Sequence, residues 1–157
     1  MAQRTIVDAG WLAARLHAPD LAVVDCRFDL ANTGAGEQAY AEGHIPGALY
    51  AHLDRDLSGP KTGINGRHPL PSPASLVSLF GRLGIDAHVQ VVAYDQDSGM
   101  YASRLWWLLR WMGHEAVAVL DGGLAAWVAG HRPVSRDVDA RTPRAFTGVP
   151  HDGMLAA

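Results

Sequence analysis

Four short apolar runs alternate with stretches of helical periodicity, and this alternation restricts the fold more than any other feature. The runs are Leu21–Asp25, residues 48–51 (ALYA), residues 89–94 (VQVVAY) and residues 116–120 (AVAVL). They are too short for buried helices and too uniformly apolar for strands with one wet face. Between them lie segments that fit helices. Residues 8–17 begin with Asp8 as an N-cap and carry Trp11, Leu12 and Leu16 on one stripe. Residues 73–83 start on Pro73 and place Leu76, Val77, Phe80 and Leu83 on a core face. Residues 99–112 carry Leu105, Trp106, Leu108, Leu109 and Met112 around most of the circumference, which predicts a helix buried on two sides and closed by Gly113. Asp121-Gly122-Gly123 turns into a last helix, 124–129, that ends at Gly130. Alternating strands and helices imply βαβ units and a parallel sheet covered on both faces. Ligands of such sheets bind at the carboxyl ends of the strands, where Asp25, Asp95 and Asp121 fall.

Several function classes are excluded. A net charge of −3 offers no electrostatic footprint for nucleic acid or an anionic membrane. No apolar run approaches the roughly 20 residues of a membrane span, and the opening MAQRTIVDAG has no apolar signal region. The single cysteine, Cys26, rules out an intrachain disulfide framework and fits a reducing, cytoplasmic setting. None of the eight histidines pairs in an HxxxH spacing, so no metal and no cofactor are expected.

The loop after the third run is the first candidate site. In the stretch 91–99 a strand runs into a short polar loop and then a helix, a turn that aims backbone N–H groups and a helix dipole at one point. A thiolate there would be reactive; the residue present is Asp95. Its plain reading is a cap for the following helix, which leaves the segment Asp95, Gln96, Asp97, Ser98, Gly99, Met100 a catalytic loop in form without a nucleophile. Cys26, beside a strand end with no helix N-terminus in register, reads as a small buried hydrophobe. Residues 54–72 are rich in Gly and Pro and lack periodicity, and a long loop of that kind is usually functional. Within it Arg67 and His68 are either solvated loop residues or ligands for an anion. His44, in a Pro-Gly turn, is expected to pin backbone. Arg104, on an apolar helix, needs a buried partner, for which Asp25 or Asp121 is expected.

At this point the residues resemble a family. Tyr40-Ala-Glu-Gly-His-Ile-Pro-Gly-Ala48 is similar to the signature that opens rhodanese-like domains. Ala102-Ser-Arg104-Leu-Trp106-Trp107, Gly113-His114, and Val119-Leu-Asp-Gly-Gly-Leu124 with Trp127 resemble the second half. The loop from Asp56 through Pro71 is similar to the first domain of two-domain thiosulfate and 3-mercaptopyruvate sulfurtransferases. The resemblance implies a rhodanese-like α/β fold, a central parallel sheet of about five strands flanked by helices on both faces. It sets a domain at residues 5–135 and a linker or tail at 136–157 toward a missing second domain.

Active members carry a cysteine after the third strand that takes sulfur as a persulfide and passes it to a thiophile. Asp95 stands in its place, as in the non-catalytic first domain of tandem sulfurtransferases. The resemblance thus implies no catalytic residue here, Arg67 and His68 as substrate-cleft residues, and His44, Arg104 and Asp121 as structural ones. The implied partners are a C-terminal rhodanese domain of the same parent chain and, through the parent, a small anionic sulfur donor. The alternative is a stand-alone rhodanese-like binding or regulatory module, whose loop around Asp95 recognises a partner or a cationic ligand. The phosphatases that share the fold would need a cysteine at 95 and an arginine at 101, where this chain has Asp and Tyr.

Overall fold

The computed structural model describes residues 2–62, 66, 68–137 and 140–155, so Arg67 lies outside the described residues. Five strands form one parallel sheet in the order β1-β5-β4-β2-β3. They are β1 (Ile6–Val7), β2 (Leu21–Asp25), β3 (Leu49–Tyr50), β4 (Gln90–Tyr94) and β5 (Val117–Leu120). The helices are α1 (Ala9–Ala13), α2 (Ala35–Glu42), α3 (Pro73–Arg82), α4 (Ala102–Trp111) and α5 (Gly123–Ala129).

The pleat divides each central strand between two cores. Val91 and Ala93 of β4, with Ala22 and Val24 of β2, face α3 and α4 through Leu76, Phe80, Leu105 and Leu109. Val92 and Tyr94, with Leu21 and Val23, face α1 and α5 through Leu12 and Trp127. Both faces are therefore dry, the condition that makes these strands read as continuous apolar runs. Local signals set the helix starts. Asp8 accepts from the Trp11 N–H, and Ser72, just before Pro73, accepts from the Ser75 N–H.

Two elements were not expected from periodicity. Strand β1 is two residues at the sheet edge with Ile6 exposed, too short to show a pattern. Helix α2 buries only Gly36, so it carries no apolar stripe. Helix α1 is also shorter than the expected 8–17, ending at Ala13.

Residues 140–155 hold no strand and a single 3-10 turn, Asp152–Leu155, in keeping with their missing periodicity, yet they lie on the domain as a strap. The Arg141 guanidinium donates to the carbonyls of Leu83, Gly84 and Leu21 at 2.7–3.0 Å, satisfying free carbonyls at the end of α3. The Arg144 N–H donates to Gly81 O, and the His151 N–H to Trp111 O at the end of α4. Phe146 packs edge-on against Phe80, ring centroids 4.9 Å apart. Gly148 runs so close to α4 that a Cβ would stand 2.1 Å from Met112 O. Phe146→Ala should cost about 3 kcal/mol in chemical denaturation, because the ring is buried and leaves a cavity.

His114, under the same strap, gives the fold a pH dependence. Burial pushes its imidazole below the ordinary value, against backbone hydrogen bonds that raise it, and Nε2 sits 2.9 Å from Val89 O. The folded state keeps the ring neutral where the unfolded chain protonates. Stability is thus intact above the unfolded value of about 6.5 and falls as pH drops toward the folded value. Thermal midpoints should drop between about pH 7.5 and about pH 5, and His114→Gln should shrink that drop.

At the other end of the sheet a buried ion pair braces the strands. Asp25 at the end of β2 receives Arg27 Nη2 at 2.7 Å, Nε at 2.9 Å and the Tyr94 hydroxyl at 2.9 Å. Arg27 also reaches Gly43 O at 2.6 Å, and the Ile45 N–H donates to the Tyr94 oxygen. Burial first, then the neighbouring Asp25, holds the Tyr94 phenol well above its usual range, so it stays a neutral donor.

Candidate functional site

Strand β4 delivers Asp95 to the carboxyl edge of the sheet, and the chain from there to α4 folds back over the carboxylate. Oδ1 accepts the N–H groups of Asp97 at 3.1 Å and Gly99 at 3.0 Å; Oδ2 accepts those of Tyr101 at 2.9 Å and Ala102 at 3.0 Å. Asp95 is 1% exposed. Four convergent N–H groups at a helix N-terminus form an anion cradle, and here the anion is the chain's own side chain. Buried and fully engaged, this carboxylate is not itself offered to a cationic ligand.

Other contacts hold the loop from beneath. The first N–H groups of α5 donate to it, Leu124 to Asp95 O and Ala125 to Gln96 O. Gly123 permits that approach, since a Cβ there would meet Asp95 O at 2.5 Å and its φ is +57°. Gln96 ties the loop to Phe28, donating to its carbonyl at 2.6 Å. Ser98 Oγ accepts the Met100 N–H, and Met100 stands out from the loop, 60% exposed.

Beside the loop opens a cleft of about 280 Å³ lined by Leu30, Leu53, His68, Met100, Tyr101 and Arg104. Its wall is mainly apolar, with one imidazole and one guanidinium. His68 Nδ1 lies 3.0 Å from Asp54 Oδ1, an ion-pair distance at which the angles do not form a hydrogen bond. Both ring nitrogens and Oδ1 are shielded from solvent without a hydrogen-bond partner among the described residues. Asp54 is the residue that sequence reasoning missed. Its only signal is a carboxylate in the same Gly/Pro-rich loop as His68.

The remaining candidates separate. His44 is fully buried, with Nδ1 2.8 Å from Tyr40 O and its ring stacked on Tyr40 at 3.9 Å. Arg104 does not pair with Asp25 or Asp121. Asp25 is taken by Arg27, Asp121 is exposed, and Arg104 instead donates to the carbonyls of Leu57, His68 and Pro69 at 2.9–3.1 Å. Cys26 is 1% exposed, and burial, then Asp25, Asp95 and Asp56, push its thiol well above its usual range. Such a thiol is inert. Among the described residues no three His, Cys, Asp or Glu side chains gather as a metal site, and no helix is long and apolar enough to cross a membrane.

The family model described as a rhodanese-like domain matches residues 8–130. A probable 3-mercaptopyruvate sulfurtransferase of Pseudomonas aeruginosa is 45% identical over 157 residues, covering 99% of this chain and 55% of that protein. The thiosulfate sulfurtransferase of Bos taurus is 32% identical over 160 residues, covering 97% of this chain and 52% of its own length. Among solved structures, the 3-mercaptopyruvate sulfurtransferase from Leishmania major superposes with a TM-score of 0.81 at 30% identity, covering 94% of this chain and 40% of that one. The chain spans about half the length of the curated relatives it matches.

Proposed function

The chain belongs to the rhodanese-like family, and from that membership we propose that it is the catalytically silent N-terminal half of a tandem sulfurtransferase. In this reading it forms one wall of the active cleft, and the persulfide cysteine lies in a second rhodanese domain. The observation that carries the reading is the Asp95 carboxylate, buried among four N–H groups in the loop to which the family resemblance assigns the thiolate of active members. A carboxylate so placed keeps the loop in shape but cannot carry a transferable sulfur. The relatives' greater length supports a second domain as the partner. So do the apolar side chains of Leu30 and Met100 on the cleft, each more than 40% exposed.

The sulfur donor is a small anion, thiosulfate or 3-mercaptopyruvate. His68, on this wall beside Asp54, is the group proposed to meet it: once its covered ring turns a nitrogen into the cleft, it can donate a hydrogen bond to a donor oxygen or move a proton. Arg67, next in sequence, would add a bidentate guanidinium. The setting proposed is the cytoplasm, in keeping with a lone buried thiol.

Assayed alone with either donor and cyanide, the chain should form no thiocyanate above the uncatalysed rate. Joined to the second half of the Pseudomonas aeruginosa relative, it should turn over, and His68→Ala should lower kcat/KM by about 10²-fold, the scale of a lost acid–base group. Turnover by the unjoined chain would sink the proposal, as would a joined protein indifferent to His68.

A further inference from the structure

We propose that Arg104 is a positioning residue: it clasps the two ends of the long loop to helix α4 and so sets where His68 and Asp54 stand in the cleft. The role in sulfur transfer rests on the function proposed above; the clasp itself does not. Arg104 Nε donates to Leu57 O at 3.0 Å, while Nη2 donates to His68 O at 2.9 Å and Pro69 O at 3.1 Å. One guanidinium therefore ties residue 57, near the start of the Gly/Pro-rich loop, to residues 68 and 69 near its end.

The charge has no counter-ion among the described residues, and burial pushes its pKa down. A half-buried cation held only by carbonyls is costly unless its geometry is fixed. The planar fork suits this task, and a lysine ammonium cannot reproduce it. Among the described residues two other contacts cross its neck: the Gly59 N–H reaches Pro69 O at 2.8 Å, and Asp54 Oδ1 lies 3.0 Å from His68 Nδ1. The same guanidinium lines the cleft with His68, so loss of the clasp acts on the wall directly.

The test uses the 157-residue chain with isotope-labelled histidine, His68 being assigned by His68→Gln. In Arg104→Lys and Arg104→Gln, the His68 ring signals should move toward those of a free peptide. Amide exchange at residues 57–62 and 68–70 should speed by about ten-fold, while amides of β4 and β5 change by less than about two-fold. His68 signals and loop exchange identical to wild type in both variants would overturn the proposal; the lysine variant stands alone if the glutamine variant does not fold. Joined to the second half of the Pseudomonas aeruginosa relative, Arg104→Lys should lower kcat/KM together with His68→Gln. A loop that loosens while neither variant changes turnover would keep the clasp and remove the sulfurtransferase reading of this cleft.

Discussion

Asp95→Ala should lower the unfolding free energy by about 3–4 kcal/mol, a large share of the roughly 5–15 kcal/mol that holds a domain together. Hydrogen bonds to a charged group contribute about 1.5–3 kcal/mol each. The carboxylate makes four while 1% exposed, so simple addition would give about 6–12 kcal/mol, as much as the whole domain's stability. Water entering the vacated cradle and relaxation of the loop bring the figure down. Asp95→Asn should cost less, about 2 kcal/mol, since its amide oxygen can still accept two N–H groups while its amide nitrogen faces the other two. Urea denaturation orders the three proteins, and equal midpoints would show that the carboxylate is not what shapes the loop.

A second large loss is expected at Arg27. In Arg27→Met, Asp25 would keep the Tyr94 hydroxyl but lose its counter-ion, and it is fully buried. Removing one partner of such a pair typically costs about 3–5 kcal/mol, because the surviving charge is stranded in a low dielectric. The double variant Asp25→Leu, Arg27→Met should recover part of that loss, leaving it smaller than the sum of the two single changes. Strictly additive single losses would mean that the two residues act independently and that the pair is not the brace between β2, Tyr94 and the turn at Gly43.

The sheet was legible because its strands are dry on both faces, so Leu21–Asp25 and Gln90–Tyr94 stand out without alternation. Helices with an apolar stripe and a cap were legible too, α3 most of all, with Ser72 before Pro73. The misses share a cause. Helix α2 and strand β1 bury too little of their own surface to leave a pattern. Arg104 was assigned a carboxylate because side-chain types are visible in a sequence; the backbone carbonyls it actually holds are not. At Asp95 the expected turn with converging N–H groups is the one found; that four of them reach the carboxylate itself is a property of the folded backbone. The Asp25–Arg27 pair was within reach: residues two apart at a strand end share a side, and opposite charges there invite pairing.

The strap over the ends of α3 and α4 also fixes an order of events during synthesis. The strap follows in sequence every strand and helix it covers, so it leaves the ribosome after them. At about 5–20 residues per second, the carbonyls of Leu83, Gly84 and Trp111 stay open to water for about 2–12 seconds before their donors Arg141 and His151 emerge. The nascent domain is thus unlatched until the strap arrives, and a chaperone has that interval in which to engage it.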